Sequence, residues 1–162
     1  MVHSAKSYIG LLVAAIGILA ITGPFAAAED KPVSGVYKGN GQEAKLAYVS
    51  ACKGEPLGDK STIVLVFSEK DPSNNKNPRT DALFGKYGSA LIITTDQDGK
   101  VVGCQVAHAA LKRSGFSSIG EIKMSDFKLE NGKIQGKLST GGEKEFFDDK
   151  WDVDIKFEAK AP

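Results

Sequence analysis

The sequence predicts an all-β fold, a single antiparallel sandwich or barrel of seven to eight strands. Three observations lead to this prediction. Apolar and polar residues alternate over most of the chain, two Asn-Gly pairs are suited to tight hairpin turns, and helix is indicated only for one short turn near residues 80–85.

The first half of the chain contains five segments typical of strands. The stretch GVYKGNGQEAKLAYVSAC predicts two strands joined at Asn40 and Gly41. IVLVF, at 63–67, is apolar on both faces, so we expect a central strand that is covered on both sides. ALIITT at 90–95 and KVVGCQVAHA at 100–109 flank the turn sequence DQDG and predict a second hairpin.

The second half alternates more regularly. WDVDIKFEAK, at 151–160, places apolar side chains on one face and charged side chains on the other. Residues 133–140 repeat this pattern and follow an Asn-Gly turn. In the preceding segment, 122–129, the alternation slips by one residue at Ser125 and Asp126, which predicts a bulge or bend.

One helical turn interrupts this pattern. Thr80 or Asp81 is suited to cap the apolar residues ALF that follow, and Gly85 is suited to end the turn.

The N-terminus has the three regions of an export signal. Lys6 precedes an apolar run at 9–23, Pro24 then breaks any helix, and three small alanines follow. We therefore expect residues 1–28 to be a cleaved signal peptide and 29–162 to be a single β-rich domain, exported to the periplasm or secreted, whose mature chain does not span the membrane. The alternative is an uncleaved membrane anchor, because the apolar run is nearly long enough to cross a bilayer.

The charges of the mature chain indicate no overall preference for nucleic acid or for anionic membranes. Removal of Lys6 leaves 20 basic and 20 acidic residues, so the formal net charge is zero. Only Arg79 and Arg113 are arginine, the residue that reads phosphates and base edges bidentately. Nucleic-acid binding is therefore not expected.

Two cysteines remain in the mature chain, Cys52 and Cys104. Export would place them where disulfides form and persist, so a Cys52–Cys104 disulfide is the first interpretation. The alternative is two buried free thiols that behave as small apolar residues.

Cys104 also lies four residues before His108 in VVGCQVAHAA. In a strand both side chains share one face with Val102 and Val106, so we expect Cys104 in the core and His108 at the strand end, where its ring reaches water. A thiolate nucleophile needs an electropositive and exposed setting, and zinc needs about four ligands. We therefore predict no catalytic residue, metal ligand or cofactor.

Clustered carboxylates at 143–154 and the pair Asp96 and Asp98 raise the possibility of calcium binding. Lysines are interleaved with the first group, which favours a solvated, charge-paired face. The second group lacks a glutamate at the twelfth loop position, where this chain has Ala107, and a hairpin turn explains it.

The segment 69–88 is the longest predicted loop, and loops of this length are usually functional or disordered. Its first part looks flexible and polar, whereas Leu83, Phe84 and Tyr87 could pack over an open end of the sheet. A tolerated surface insertion is the alternative. The residues of this candidate binding loop are Asn74, Asn75, Arg79, Phe84 and Tyr87.

Several of these segments together resemble a loose group of small, exported, β-rich bacterial proteins without assigned function. The segments are GVYKGNGQEAKLAYVSA, TIVLVF, SALIITTDQDGKVVG and KIQGKLSTGGEKEFFDDKWDVDIKF, and they cover most of residues 33–158. The resemblance implies an exported bacterial domain and carries no activity, ligand or site residue with it.

Three functional hypotheses follow. The first is an exported, non-enzymatic module that binds an unknown protein or envelope component through a sheet face or the long loop. The second is a lipocalin-like carrier, in which a closed barrel holds a small apolar ligand. The third is a hydrolase that uses Cys104 or His108 with a carboxylate.

Overall fold

The computed structural model describes Met1 and residues 31–162, which form eleven strands and one short helix. The strands make two antiparallel sheets, so the all-β prediction is confirmed. The barrel alternative is wrong, because the two sheets remain separate. The strand number was underestimated, since β2, β7 and β10 have only two or three residues and give little alternation.

Sheet A contains six strands in the order β2, β1, β11, β9 and β8, with β10 paired to the start of β11. Its strands are β1 (Val33–Gly39), β2 (Gln42–Glu43), β8 (Lys123–Glu130), β9 (Lys133–Ser139), β10 (Lys144–Phe146) and β11 (Asp149–Lys160). Sheet B contains five strands in sequential order. They are β3 (Tyr48–Lys53), β4 (Thr62–Ser68), β5 (Ala90–Asp96), β6 (Val101–Ala107) and β7 (Phe116–Ser117).

Both predicted Asn-Gly turns are present. Asn40 and Gly41 have φ angles of 48° and 77°, and Asn131 and Gly132 have φ angles of 51° and 73°. Two consecutive positive φ angles define the turn type that matches the twist of a tight hairpin, which explains why this residue pair is found there.

The predicted slip in β8 is also present. The β8–β9 register shifts between Ser125 and Lys128, and Asp126 has a φ of 53°. The shift directs Phe127 across to sheet B, where its ring lies against Gly99 in the β5–β6 turn. A side chain at position 99 would occupy the space of this ring.

The main core lies between the two sheets. β11 crosses the strands of sheet B, since Trp151 contacts Phe116 of β7 at a ring-centroid distance of 6.0 Å and Phe157 contacts Phe67 of β4 at 5.1 Å. All four rings belong to one buried apolar cluster. This packing removes large apolar areas from water and provides the main favourable contribution to folding.

A second apolar cluster covers the outer face of sheet B. Every residue of β4 is buried, which confirms a central strand covered on both sides. Val64 and Val66 point away from the main core and pack beneath Ala82 and Tyr87. Ala82 and Tyr87 both belong to the loop 69–88, and Ala82 lies in helix α1 (Pro78–Leu83) within that loop.

The start of α1 differs from the prediction. Asn77 precedes the helix and Pro78 opens it, so Thr80 and Asp81 lie inside the first turns and do not cap them. Proline suits this opening position because its fixed φ is already helical and its missing N–H would have had no partner there. Gly85, with a φ of 75°, follows the helix end as expected.

The predicted disulfide is wrong, since both cysteines are free. Cys104 pairs with Ile93 and faces the main core, whereas Cys52 pairs with Val64 and contacts the outer cluster. The two side chains therefore lie on opposite faces of sheet B. Their strands are also three spacings apart, about 14 Å, and a disulfide tolerates about 7 Å between Cα atoms.

The expected signal peptide and its cleavage site lie outside the described residues, apart from Met1. Export and localisation therefore remain predictions. Within residues 31–162, no helix combines the length and the apolar character needed to cross a membrane.

Candidate functional site

The long loop 69–88 packs on the outer face of sheet B and does not close an end of the sheet. Tyr87 is buried, and its hydroxyl donates to Asp81 Oδ2 at 3.2 Å. Arg79 donates from Nε and Nη2 to Gln105 Oε1 of β6, both at 3.3 Å. Two of the five predicted binding residues therefore attach the loop to its own domain.

The other three predicted residues differ in what they contact. Asn75 accepts a hydrogen bond from Lys86 Nζ at 3.4 Å, and Asn74 is exposed. Phe84 follows the end of α1 and is 82% exposed, so it is not the packing residue that the sequence suggested. Of the five, Phe84 has the most apolar surface available for a partner.

A second loop, 108–115, is held by a buried carboxylate. Asp149 accepts hydrogen bonds from the backbone N–H groups of Lys112 and Arg113, both at 2.9 Å, and from Asn40 Nδ2 at 2.8 Å. The hydrogen bond from Lys112, followed by that from Asn40, lowers the pKa of Asp149 from its ordinary value. The carboxylate thus ties this loop to the β1–β2 turn and to the start of β11.

Asn40 completes this network from the opposite side. Its Nδ2 also donates to the carbonyl of Ala110 at 2.9 Å, and its Oδ1 accepts from the Lys150 N–H at 2.9 Å. The loop 108–115 is therefore fixed by side chains of the β1–β2 turn and of β11, which belong to the other sheet.

Phe147 occupies the turn between β10 and β11 with an unusual backbone. Its φ is 54°, a left-handed conformation that favours glycine or asparagine, and its side chain is 63% exposed. The Arg113 guanidinium lies over its ring at 4.2 Å from the centroid, and Phe146 contacts it edge-on at 4.8 Å. The ring is thus held in place on the surface by two neighbours.

The loop 108–115 contacts Phe147 and Leu83, the residue before Phe84. Arg113 reaches the ring of Phe147 on one side, and Gly115 lies beside Leu83 on the other, where an added Cβ would be 3.5 Å from Leu83 Cδ1. We call the three exposed residues Phe84, Arg113 and Phe147 together the aromatic end.

The Cys104 and His108 side chains are both buried. Burial raises the pKa of the Cys104 thiol to about 12, so the thiol stays protonated and is a poor nucleophile. His108 is 3% exposed and contacts Tyr37 edge-on at 4.9 Å, so the expectation that its ring reaches water is wrong. The ring is covered because Gly39 lies against it, where a Cβ would come within 2.5 Å of Nδ1.

The hydrogen bonding of His108 indicates a neutral ring. Nδ1 accepts from the N–H of Ala110 at 3.1 Å, and Nε2 has no hydrogen-bond partner among the described residues. Burial lowers the pKa of His108, although Glu69 and the nearby Gln42 backbone favour the charged form.

The acidic stretch 143–154 lies mostly on the exposed surface, and two of its carboxylates pair with lysines as expected. Lys150 pairs with Glu143 and Lys137 pairs with Asp154, each at 3.1 Å. Asp149 is the exception, since it is buried. Within residues 31–162 no group of acidic, histidine and cysteine side chains is arranged to hold a metal ion.

Asp96 has the role expected of a turn residue. Its Oδ1 accepts from the N–H groups of Asp98 and Lys100 at 3.0 and 2.9 Å, which closes the β5–β6 hairpin.

Two of the surface grooves among residues 31–162 bear on the carrier hypothesis. One, of about 630 Å³, lies on the outer face of sheet A and is lined by Lys133, Lys156 and Glu158 among others. The other, of about 380 Å³, lies beside the ends of β3 and β8 and includes Ile63 and Leu129. Neither is the enclosed barrel cavity on which the carrier hypothesis was based.

No protein-family model, curated protein or solved structure matches this chain.

Sequence reasoning missed Arg113, Phe147 and the Asn40–Asp149 pair as parts of a site. One local signal was available for Phe147, since FFDD, at 146–149, interrupts the alternation where β11 begins. A turn between two strands normally contains glycine or asparagine, and a phenylalanine there is unusual.

Proposed function

We propose that this protein is an exported, non-enzymatic binding module that docks on a protein partner through the aromatic end. The main support for the proposal is that Phe147 is an exposed aromatic residue in a left-handed turn position. Such backbone strain costs on the order of 1 kcal/mol or more and is typical of functional positions.

The composition of the aromatic end supports a protein interface. Arginine and aromatic residues are enriched among the few residues that dominate binding energy, and Arg113 and Phe147 are stacked on each other. Because each side chain limits the motion of the other, less conformational entropy is lost when a partner binds.

The support beneath the aromatic end is rigid. Asp149 fixes the backbone of Lys112 and Arg113 through two amide hydrogen bonds, and β11 begins at Asp149 itself. A site on such a support keeps its geometry in the absence of partner, which favours affinity.

The partner surface that fits contains an apolar pocket for Phe147 with a carboxylate at its rim for Arg113. A carboxylate suits this position because Arg113 uses only the face of its guanidinium on the ring and keeps its N–H edge for hydrogen bonds.

The proposal is tested by placing a photo-crosslinking phenylalanine analogue at position 147 in the cells that produce the protein. We expect one crosslinked species of defined mass. Leu57 is the matched control position, because it is also apolar and 60% exposed but lies in the β3–β4 connection at the opposite end of sheet B.

The partner identified in this way should co-purify with wild-type protein and with Leu57→Ser, and its recovery should be reduced at least tenfold with Phe147→Gly or Arg113→Ala. Equal crosslinking from positions 147 and 57, or recovery unaffected by Phe147→Gly, would contradict the proposal.

A further inference from the structure

The two sheets end in strands with very different outer edges. β8, at the end of sheet A, has a bulge at Ser125 and carries Lys123 and Lys128, and both features hinder the addition of another strand. β3, at the end of sheet B, pairs with β4 in unbroken register and has no charged residue before Lys53.

The register of β3 shows which backbone groups face outward. The Gly54 N–H donates to the Thr62 carbonyl at 2.9 Å, so residues an even number of positions away also direct their N–H and C=O groups to β4. Val49, Ala51 and Lys53 therefore direct theirs away from the sheet, where no strand of residues 31–162 pairs with them.

We propose that two copies of this chain join through β3, antiparallel and around a two-fold axis at Ala51. The two five-stranded sheets then form one continuous sheet of ten strands. Contacts across such an axis are self-complementary, because each residue pair occurs twice.

An axis at Ala51 is the only one that pairs all three outward-facing residues with each other. Ala51 then lies opposite Ala51 of the second copy, and Val49 lies opposite Lys53 of the second copy. An axis at Lys53 would oppose two lysines, and an axis at Ser50 or Val49 would leave Lys53 without a strand residue opposite it.

The same register gives the outer face of the strand suitable neighbours. Tyr48, which is 40% exposed, lies opposite Gly54 of the second copy, and an aromatic side chain beside a glycine compensates for the missing cross-strand contact. Ser50 lies opposite Cys52 of the second copy. None of these pairs brings like charges together.

The interface is a single strand pair, so it is smaller than the area that stable complexes bury. We therefore expect a dimer that forms at high protein concentration and dissociates on dilution.

The register is tested by Ser50→Cys. Residues 50 and 52 of the two copies form a pair without mutual backbone hydrogen bonds, with Cα atoms about 4.5 Å apart, a distance that a disulfide spans. Mild oxidation should yield at least tenfold more covalent dimer than the wild-type protein. The dimer should disappear when Cys52→Ser is added to Ser50→Cys.

Ser125→Cys, in the bulged edge strand β8, is the matched control and should yield no covalent dimer. If Ser50→Cys behaves like Ser125→Cys, the proposal is wrong.

Sedimentation provides an independent test without cysteine chemistry. The wild-type mass should double as concentration rises, and Ala51→Pro, which removes an outward N–H that the monomer does not use, should keep the protein monomeric. If circular dichroism shows that the proline variant does not fold, Ser50→Lys replaces it and should have the same effect.

A wild-type protein that stays monomeric at all concentrations, or a dimer unaffected by both variants, would overturn the proposal. Phe147→Gly should leave the dimer intact, which separates this test from that of the proposed function.

Discussion

The loop 69–88 and the two-residue turn between β10 and β11 both present a phenylalanine at the aromatic end, but they are built in opposite ways. The loop is long and polar, yet its residues Ala82 and Tyr87 are buried against sheet B, so the loop is part of the fold. The turn is short, yet it holds Phe147 exposed on an unfavourable backbone. Length and polarity led to the prediction of a binding loop, but this loop covers the sheet, and the proposed binding site depends instead on the strained turn.

The strongest test of this comparison is to disrupt the cover formed by the long loop. Ala82 is fully buried in α1 against sheet B, so Ala82→Asp places a carboxylate without a cationic partner in the second cluster. We expect the free energy of unfolding in urea to fall by about 3–5 kcal/mol. Thr80→Asp, on the exposed side of the same helix, should change it by less than about 0.5 kcal/mol. Equal effects would mean that the loop is only a surface insertion.

The next largest effect should come from the support of the turn. Asp149→Asn removes the charge that accepts three hydrogen bonds, so we expect a lower Tm. The pKa of Asp149 is lower in the folded protein than its ordinary value of 3.8. Its contribution to folding stability is therefore fully present above pH 3.8 and is lost as the pH falls through the folded pKa. The Tm of Asp149→Asn should not show this decrease at low pH. Asp154→Asn, on the exposed face of β11, should retain it.

His108 should provide a separate pH dependence at the start of the loop 108–115. Burial lowers its pKa below the ordinary value of 6.5, so the unfolded chain binds the proton more readily than the folded protein. Stability should therefore fall as the pH drops below about 6.5 and should stop falling below the folded pKa. Protonation would also replace the acceptor that Ala110 uses with a second donor. His108→Gln should flatten Tm between pH 6.5 and the folded pKa, and an unchanged slope would assign this dependence to another group.

Strain at Phe147 should be visible as a difference between two substitutions. Phe147→Ala loses the ring and keeps the left-handed backbone unfavourable, whereas Phe147→Gly loses the ring and relieves the strain. We expect the glycine variant to be more stable than the alanine variant by about 1 kcal/mol in urea unfolding. A more stable alanine variant would remove the argument that the turn holds strain.

The smallest effect is expected at Phe84. Its side chain is 82% exposed after the end of α1, so Phe84→Ser should change the free energy of unfolding by less than about 0.5 kcal/mol. A much larger loss would show that Phe84 packs in the fold as Tyr87 does, and it would remove Phe84 from the aromatic end.

Local patterns predicted the strands well, because the residues that determine them are adjacent in the chain. The alternation in 151–160 and 133–140 corresponds to β11 and β9, and the slip at Ser125 corresponds to the bulge in β8. The short strands β7 and β10 were missed, since two or three residues do not establish a period.

The candidate site was predicted less well, because its residues come from distant parts of the chain. Of the five residues proposed in the long loop, Phe84 alone belongs to the aromatic end. The predicted disulfide failed for a related reason: strand order and sheet face had to be known for Cys52 and Cys104 together.

The sequence by itself determined the all-β class, the two Asn-Gly hairpins, the bulge and the central strand β4. These features depend on φ preferences and on side-chain alternation within a few residues. The tertiary structure decided which faces are covered, which cysteine enters the core and which loop is rigid. Asn40 and Asp149, which fix the loop beside Phe147, are 109 residues apart, and only folding brings their side chains within hydrogen-bonding distance.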